Sequence, residues 1–217
     1  MRDKLSAILI GIIFLFVQFG SYAKGGTFLG DKPSRLVVDM GEQCVISIVD
    51  YFNGHLVSGM PLNASYWTEK PPIKNAFSKF GINFACVNFV KKSKNEVARQ
   101  YGALYDEYGK KWIPYFESAR DKELLGAFTN VYNLEAVNGN GFYLIQDDKD
   151  GDPGQRERYL SFCIFHEGMA VCGGEPVMYL SDPNGSLLSY VIEVLRSVEF
   201  VDTSGLKPVA ASVPVAQ

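Results

Sequence analysis

The sequence predicts an α+β fold, in which antiparallel sheet packs against helices. Short segments rich in Val, Ile and Phe are separated by turn residues, which is typical of strands. Residues 158–165 and 169–180 flank Glu167-Gly168 like the two arms of a hairpin. Residues 186–197 follow with apolar side chains at helical spacing. Strands followed by a packing helix favour the α+β class.

The first 23 residues have the organisation of a secretory signal peptide. Basic residues precede an almost unbroken apolar run over 5–19, and Ser21-Tyr22-Ala23 follows with small residues where signal peptidase reads them. We expect cleavage after Ala23 and a soluble periplasmic protein. An uncleaved anchor is the alternative, but the run is shorter than the roughly 20 apolar residues of a spanning helix. No Cys lies near the cut, so a lipid anchor there is excluded.

Composition and charge are those of an acidic protein of ordinary globular type. Of the 217 residues, 47% are hydrophobic and 13% aromatic, which is enough for a real core. Removing residues 1–23 leaves 19 basic and 23 acidic residues, a net charge of −4. A nucleic-acid partner is not expected, because it would require a basic surface. The mature chain 24–217 divides into parts 24–135 and 136–217, or forms one continuous domain.

The N-terminal part is predicted to be strands followed by a helix. Residues 24–34 are a loop-like lead-in, whereas 35–40, 44–52 and 82–90 have the composition of strands. Residues 53–81 contain repeated Gly and Pro and are predicted to be irregular, with Tyr66-Trp67 as a packing point.

The spacing of apolar residues changes from that of a strand to that of a helix after Ser93. Apolar and aromatic residues from Val97 to Trp112 recur at helical spacing, which predicts a packing helix over about 95–113. Ser93 or Asn95 can cap it, and Pro114 ends or kinks it. Residues 124–137 stay ambiguous, with β-type residues toward their end.

The C-terminal part has the clearest pattern. Residues 142–145 are predicted to be a strand and 146–157 a polar loop before the hairpin. Asp182-Pro183 begins the second packing helix, 186–197. Residues 198–201 are predicted to be a last strand, and a tail rich in Pro and Ala follows from Thr203.

The four cysteines, an even number in an exported chain, suggest disulfides. If Glu167-Gly168 is a two-residue turn, Cys163 and Cys172 lie directly opposite each other, with Cα atoms about 4.5 Å apart. Cys44 would then pair with Cys86 by elimination. The alternatives are small buried thiols, or a hairpin register shifted by one residue.

No catalytic motif accompanies the two histidines, so we do not expect an enzyme or a cofactor. His55 lies in a predicted turn and His166 at the hairpin end, and no motif supplies a nucleophile with a positioned base. A small secreted hydrolase that uses His55 or His166 remains the third hypothesis. A metal is not expected either.

The aspartates of the predicted loop, Asp147, Asp148, Asp150 and Asp152, allow three interpretations. Clustered charge with turn formers is typical of a solvated loop. The second interpretation is a partner-binding protrusion that complements a basic groove. The third is an irregular Ca²⁺ site, but Pro153 and Tyr159 stand where an EF-hand requires Gly and Glu.

Residues 158–178 and 187–200 resemble the closing strand, hairpin, helix and strand of certain type VI secretion immunity proteins, the exported partners of antibacterial lipase effectors. The phrase Val-Leu-Arg-Ser-Val-Glu-Phe, 194–200, is also similar to the end of PsbP-like α+β domains.

The resemblance implies a periplasmic protein that binds a cognate secreted effector, a lipase, and occludes its active site or lid. The residues expected to contact that partner are the aspartates of the 147–152 loop with Tyr66 and Trp67, because aromatic side chains anchor interfaces. The alternative is a periplasmic accessory or ligand-binding protein of the cell envelope.

Overall fold

The computed structural model of the chain describes residues 34–202. The expected signal peptide with its cut after Ala23, the lead-in up to residue 33 and the tail from Thr203 lie outside the described residues. The described part contains twelve strands and three α-helices, arranged mostly as antiparallel sheet. This arrangement confirms the α+β expectation in its general form.

The strands are β1 Arg35–Asp39, β2 Val45–Val49, β3 His55–Met60, β4 Asn63–Thr68, β5 Phe80–Asn88, β6 Ala103–Asp106, β7 Lys111–Pro114, β8 Thr129–Glu135, β9 Asn140–Asp147, β10 Glu157–His166, β11 Met169–Tyr179 and β12 Glu199–Phe200. The helices are α1 Lys94–Gln100, α2 Ala119–Leu125 and α3 Leu188–Arg196.

A seven-stranded sheet in the order β3-β4-β5-β11-β10-β9-β8 forms the body of the protein. The sequence halves 24–135 and 136–217 share this sheet, because β5 pairs with β11 and β8 with β9. A three-stranded sheet, β1-β2-β12, and the two-stranded hairpin β6-β7 complete the architecture.

The main core lies on one face of the large sheet. Alternate residues of the central strands point to this face, including Phe84, Phe162 and Val171, and they pack against the small sheet and α3. Helix α3 is amphipathic and directs Val191, Val194 and Leu195 into this core, among other residues. The helix predicted over 186–197 is therefore confirmed.

A second, smaller core lies on the opposite face. Trp112 of the β6–β7 hairpin stacks on Phe165 at 5.6 Å between ring centroids and contacts Phe142 at 4.8 Å. Val97 and Ala98 of α1 are buried in the same cluster. Val87 of β5 also packs against this cluster, whereas β3 and β4 supply no residue to it.

Both cysteine pairs are disulfide-bonded as predicted, and they lie on opposite faces of the large sheet. Cys163 pairs with Cys172 in the register of a two-residue turn, with His166 opposite Met169 and a Cα–Cα distance of 4.0 Å between the cysteines. Cys44–Cys86 belongs to the main core and joins the start of β2 to β5.

The prediction of one helix over 95–113 is wrong. Helix α1 ends at Gln100, and Gly102 follows with φ +81°, a left-handed conformation that stops the helix. The remaining residues form β6 and β7, in which Tyr105 pairs with Trp112. Tyr105 and Trp112 are seven residues apart, as on one face of a helix, but it is the β6–β7 hairpin that brings their rings together. Tyr108 lies in the turn of this hairpin and is exposed.

The prediction of an irregular 53–81 is also wrong for its first half. Strands β3 and β4 form a hairpin that pairs His55 with Trp67 and Leu56 with Tyr66. Gly59 and Pro61 mark the irregular register near its turn and do not abolish the strands. The ambiguous segment 124–137 contains the end of α2 and the whole of β8.

Candidate partner-binding surface

We define the open face as five side chains of β3, β4 and β5 that point away from the main core: the exposed His55, Val57 and Asn83 and the partly exposed Ser65 and Trp67. The alternation of β4 directs Tyr66 into the core and Trp67 outward. The His55 ring lies over Trp67 at 4.6 Å between centroids, and Val57 is 49% exposed. The face therefore presents apolar and aromatic surface on regular strands.

A chain of hydrogen bonds crosses the middle of this face. The Ser65 hydroxyl donates to the side-chain oxygen of Asn83 at 2.6 Å, and Asn83 donates to Glu175 from its backbone and side-chain nitrogens at 2.8 and 2.5 Å. Strands β5 and β11 pair only over Ala85–Asn88 and Met169–Cys172, so the Glu175 carboxylate bridges the strands where they diverge. Desolvation raises the pKa of Glu175, and the hydrogen bonds from Asn83 oppose that effect.

The aspartate loop lies between β9 and β10, with Tyr159 next to it. Asp147 and Arg158 form an ion pair at the loop base through two hydrogen bonds of 2.5 and 2.7 Å. Asp147 thus anchors the base of the loop, with its side chain 26% exposed. The Tyr159 ring is 46% exposed and lies on the side of the sheet opposite the main core.

The other three aspartates lie on the exposed part of the loop. Asp148 accepts a hydrogen bond from the backbone of Glu157, and Asp152 accepts one from the backbone of Gly154. Asp150 is exposed, 3.8 Å from the Lys149 ammonium. These bonds shape the loop and leave negative charge at its surface.

The structure corrects the expectation that Tyr66 contacts a partner. Its side chain is fully buried in the main core, and its hydroxyl donates to Asp50 at 2.9 Å. Burial, followed by the hydrogen bond to Asp50, raises the pKa of Tyr66 well above its ordinary value. Only Trp67 of the Tyr66-Trp67 pair can take part in a surface contact.

The two histidines have separate structural contacts. His55 stacks on Trp67, whereas His166 contacts the Asn138 carbonyl oxygen through Nδ1 at 2.6 Å and stacks on Phe200. Over residues 34–202, no three His, Cys, Asp or Glu side chains converge as a metal site would require. Within the same range, no helix is long and apolar enough to cross a membrane.

A cleft of about 550 Å³ adjoins the open face. Its floor is formed by β8 to β11, including Ser161 and Gly174, and its walls by the end of α1 and by the segment that leads into α2. The aromatic residues of the walls are Tyr101, Tyr115 and Phe116. No sequence pattern predicted this cleft, although Gly173-Gly174 inside a strand is a signal of close approach by another group.

Comparisons with known proteins do not assign the chain to a family. A scan against models of known protein families gives no match, and a search of curated proteins gives none either.

Proposed function

We propose that the protein acts by binding another protein, as a periplasmic immunity protein that inhibits a secreted antibacterial effector of a type VI secretion system. The observation that carries this proposal is the open face, where Trp67, His55 and Val57 are presented on regular strands. A partly exposed tryptophan surrounded by polar groups is typical of protein interfaces. The resemblance of residues 158–178 and 187–200 favours a lipase as the effector.

Inhibition follows from occlusion of the effector's active site or lid by this surface. Three exposed aspartates on the loop between β9 and β10 add negative charge to the protein, which speeds association with a basic region of a partner. The Cys44–Cys86 disulfide restrains β5, which carries part of the open face. A surface that is ordered before binding loses less conformational entropy on association.

Co-purification tests the proposal directly. The full chain with a C-terminal tag is expressed in the source bacterium, and the proteins that elute with it from the periplasm are identified. We expect a stoichiometric secreted lipase whose activity falls when the complex forms. Recovery of no effector, or of an effector whose activity is unchanged in the complex, would contradict the immunity function.

Two valine substitutions locate the binding face. Val57→Asp places a charge on the open face and is expected to abolish recovery of the effector. Val37→Asp is the matched control, because Val37 is 61% exposed on β1 of the small sheet. Loss of the effector with Val37→Asp alone would move the interface away from the open face.

A second candidate function is that of a periplasmic ligand-binding accessory protein. A cavity of about 720 Å³ lies between the hairpin turn of β10–β11 and the edge of β2 and β12. Val45, Met169 and Phe200 supply apolar walls, and Gln43 and Asn88 supply polar groups, a combination that is typical of small-molecule sites. Native mass spectrometry of the purified protein would favour this function if it finds a bound lipid or small molecule and no effector.

A further inference from the structure

The cleft between α1, α2 and the large sheet has the charge of a cation site. Its lining residues include the carboxylates Glu117 and Asp121 but no lysine or arginine. Among residues 34–202, neither carboxylate forms an ion pair, and Asp121 accepts a hydrogen bond from the Ser118 hydroxyl at 2.7 Å. A positive group that enters the cleft therefore meets two carboxylates without a competing cation in the lining.

Aromatic rings form the walls beside these carboxylates. Tyr101, Tyr115 and Phe116 line the cleft, and the face of an aromatic ring attracts a cation. Arg99, which lies outside the lining, holds its guanidinium 5.3 Å from the centroid of the Tyr115 ring. One face of the Tyr115 ring is thus already occupied by an internal guanidinium, so an incoming cation must use another ring surface of the wall.

The floor of the cleft is flat because Gly174 contributes no side chain there. An added Cβ at Gly174 would lie 3.2 Å from the Leu160 carbonyl oxygen, a tight contact that requires a small local shift, and 3.6 Å from Ser161. The Ser161 hydroxyl donates to the Tyr101 carbonyl oxygen at 2.9 Å and ties the wall to the floor. The volume of about 550 Å³ is in the range of sites that take a small ligand or a large side chain.

We propose that this cleft is the anchor site for an arginine side chain of the partner protein, an inference that rests on the proposed immunity function. The guanidinium stacks on the rings of the wall and donates hydrogen bonds to Glu117 and Asp121. Arginine fits better than lysine, because its planar guanidinium can stack on a ring and bind carboxylates in the same position. The site adjoins the open face, so one partner can engage both.

A peptide titration tests the site without the partner. The full-length mature protein, labelled with ¹⁵N, is titrated with the tripeptide Ac-Gly-Arg-Gly-NH₂ and followed by NMR. We expect amide shifts confined to the cleft, around Gly102 and Gly174, with a dissociation constant of about 1–10 mM for so small a probe. The matched citrulline peptide, which has the same shape without the charge, should give no such shifts.

Substitutions separate the cleft from general charge. Glu117→Gln combined with Asp121→Asn should weaken binding of the arginine peptide about fivefold or more. Glu193→Gln, at an exposed position of α3 on the main-core side of the large sheet, is the control and should leave the affinity unchanged. Gly174→Val fills the floor and should abolish binding, while unchanged shifts in the main core show that the variant is folded.

Equal shifts from the arginine and citrulline peptides, or no shift in the cleft with either, would overturn the cation site. Equal affinity for Ac-Gly-Lys-Gly-NH₂ would overturn the preference for a guanidinium. Because no effector is present in this titration, a negative titration result does not change the conclusion from co-purification. Conversely, recovery of no effector removes the immunity function without changing what the peptides report.

Discussion

The hydroxyl of Tyr66 donates a hydrogen bond of 2.9 Å to Asp50, and the same carboxylate oxygen accepts the backbone N–H of Gly54 at 2.8 Å. Asp50 follows β2 of the small sheet, whereas Tyr66 lies in β4 of the large sheet. The bond therefore connects the two sheets at the edge of the main core. Its role can be measured because one atom distinguishes tyrosine from phenylalanine.

Tyr66→Phe is expected to lower the free energy of unfolding by about 1.5–3 kcal/mol, because a buried hydrogen bond to a carboxylate is lost. Urea unfolding monitored by circular dichroism measures the change. Tyr108→Phe is the control, since Tyr108 is fully exposed in the β6–β7 turn. Equal stability of wild type and Tyr66→Phe would show that the bond contributes nothing.

The same pair predicts a dependence of stability on alkaline pH. Because the folded state raises the pKa of Tyr66 above its unfolded value of about 10, its contribution is complete below that pH and declines above it. The unfolding free energy of the wild type should therefore fall more steeply above pH about 10 than that of Tyr66→Phe. Parallel curves for the two proteins would contradict this prediction.

Glu175→Gln tests the bridge between β5 and β11. Burial raises the folded-state pKa of Glu175 above 4.5, so its favourable contribution is present below that pH and is lost as pH rises through the folded value. Glutamine keeps an acceptor for Asn83 without the desolvated charge. We expect the variant to gain stability over the wild type at pH about 7 and to lose that advantage at about 4.

Unfolding by urea at both pH values measures this difference. Glu107→Gln, at an exposed position between β6 and β7, should show no comparable change. If Glu175→Gln were less stable than the wild type at neutral pH, the charge itself would be the stabilising element.

Removal of the two disulfides should have unequal costs. Cys44–Cys86 closes a separation of 42 residues and Cys163–Cys172 one of 9. By loop entropy, Cys44→Ala with Cys86→Ala should cost about 4 kcal/mol, and Cys163→Ala with Cys172→Ala about 2.6 kcal/mol. Guanidinium unfolding of the two double variants ranks them, and the reverse order would contradict the entropic account.

The purified wild type offers a simpler check of the same bonds. Alkylation of the denatured, unreduced protein should add no mass, because both pairs are bonded. Addition of four labels would mean that the bonds are absent.

Replacement of two glycines by alanine should change the stability of the protein in opposite directions. An added Cβ at Gly141 would overlap the Cys163 carbonyl oxygen of the neighbouring strand, so Gly141→Ala should destabilise the sheet by about 2 kcal/mol or more. Gly126 has helical backbone angles and nothing within 4 Å of such a Cβ. Gly126→Ala should raise stability by about 0.4–1 kcal/mol. Thermal unfolding of both variants measures the contrast.

The sequence was most informative where structure depends on neighbours along the chain. The Glu167-Gly168 turn set the register that places Cys163 opposite Cys172, and residues 186–197 contained the whole apolar stripe of α3. The helix predicted from the spacing of Tyr101 to Trp112 was wrong, because a short hairpin can bring residues with helical sequence spacing to one face. Of the expected contacts, Trp67 is partly exposed, whereas Tyr66 is buried and Asp147 is paired with Arg158.

The cleft could not be predicted in the same way. Tyr101, Tyr115 and Gly174 come from three distant segments, and only the packing of α1 and α2 over β8 to β11 brings them together. Local periodicity contains no information about such a long-range arrangement.

The order of the cysteines has a consequence for maturation. The bonds join the first cysteine to the second and the third to the fourth, so neither loop encloses the other. Synthesis from the amino end presents Cys44 and Cys86 before Cys163 and Cys172. Pairing of the cysteines in their order of emergence therefore gives the native bonds directly, without a step of disulfide exchange.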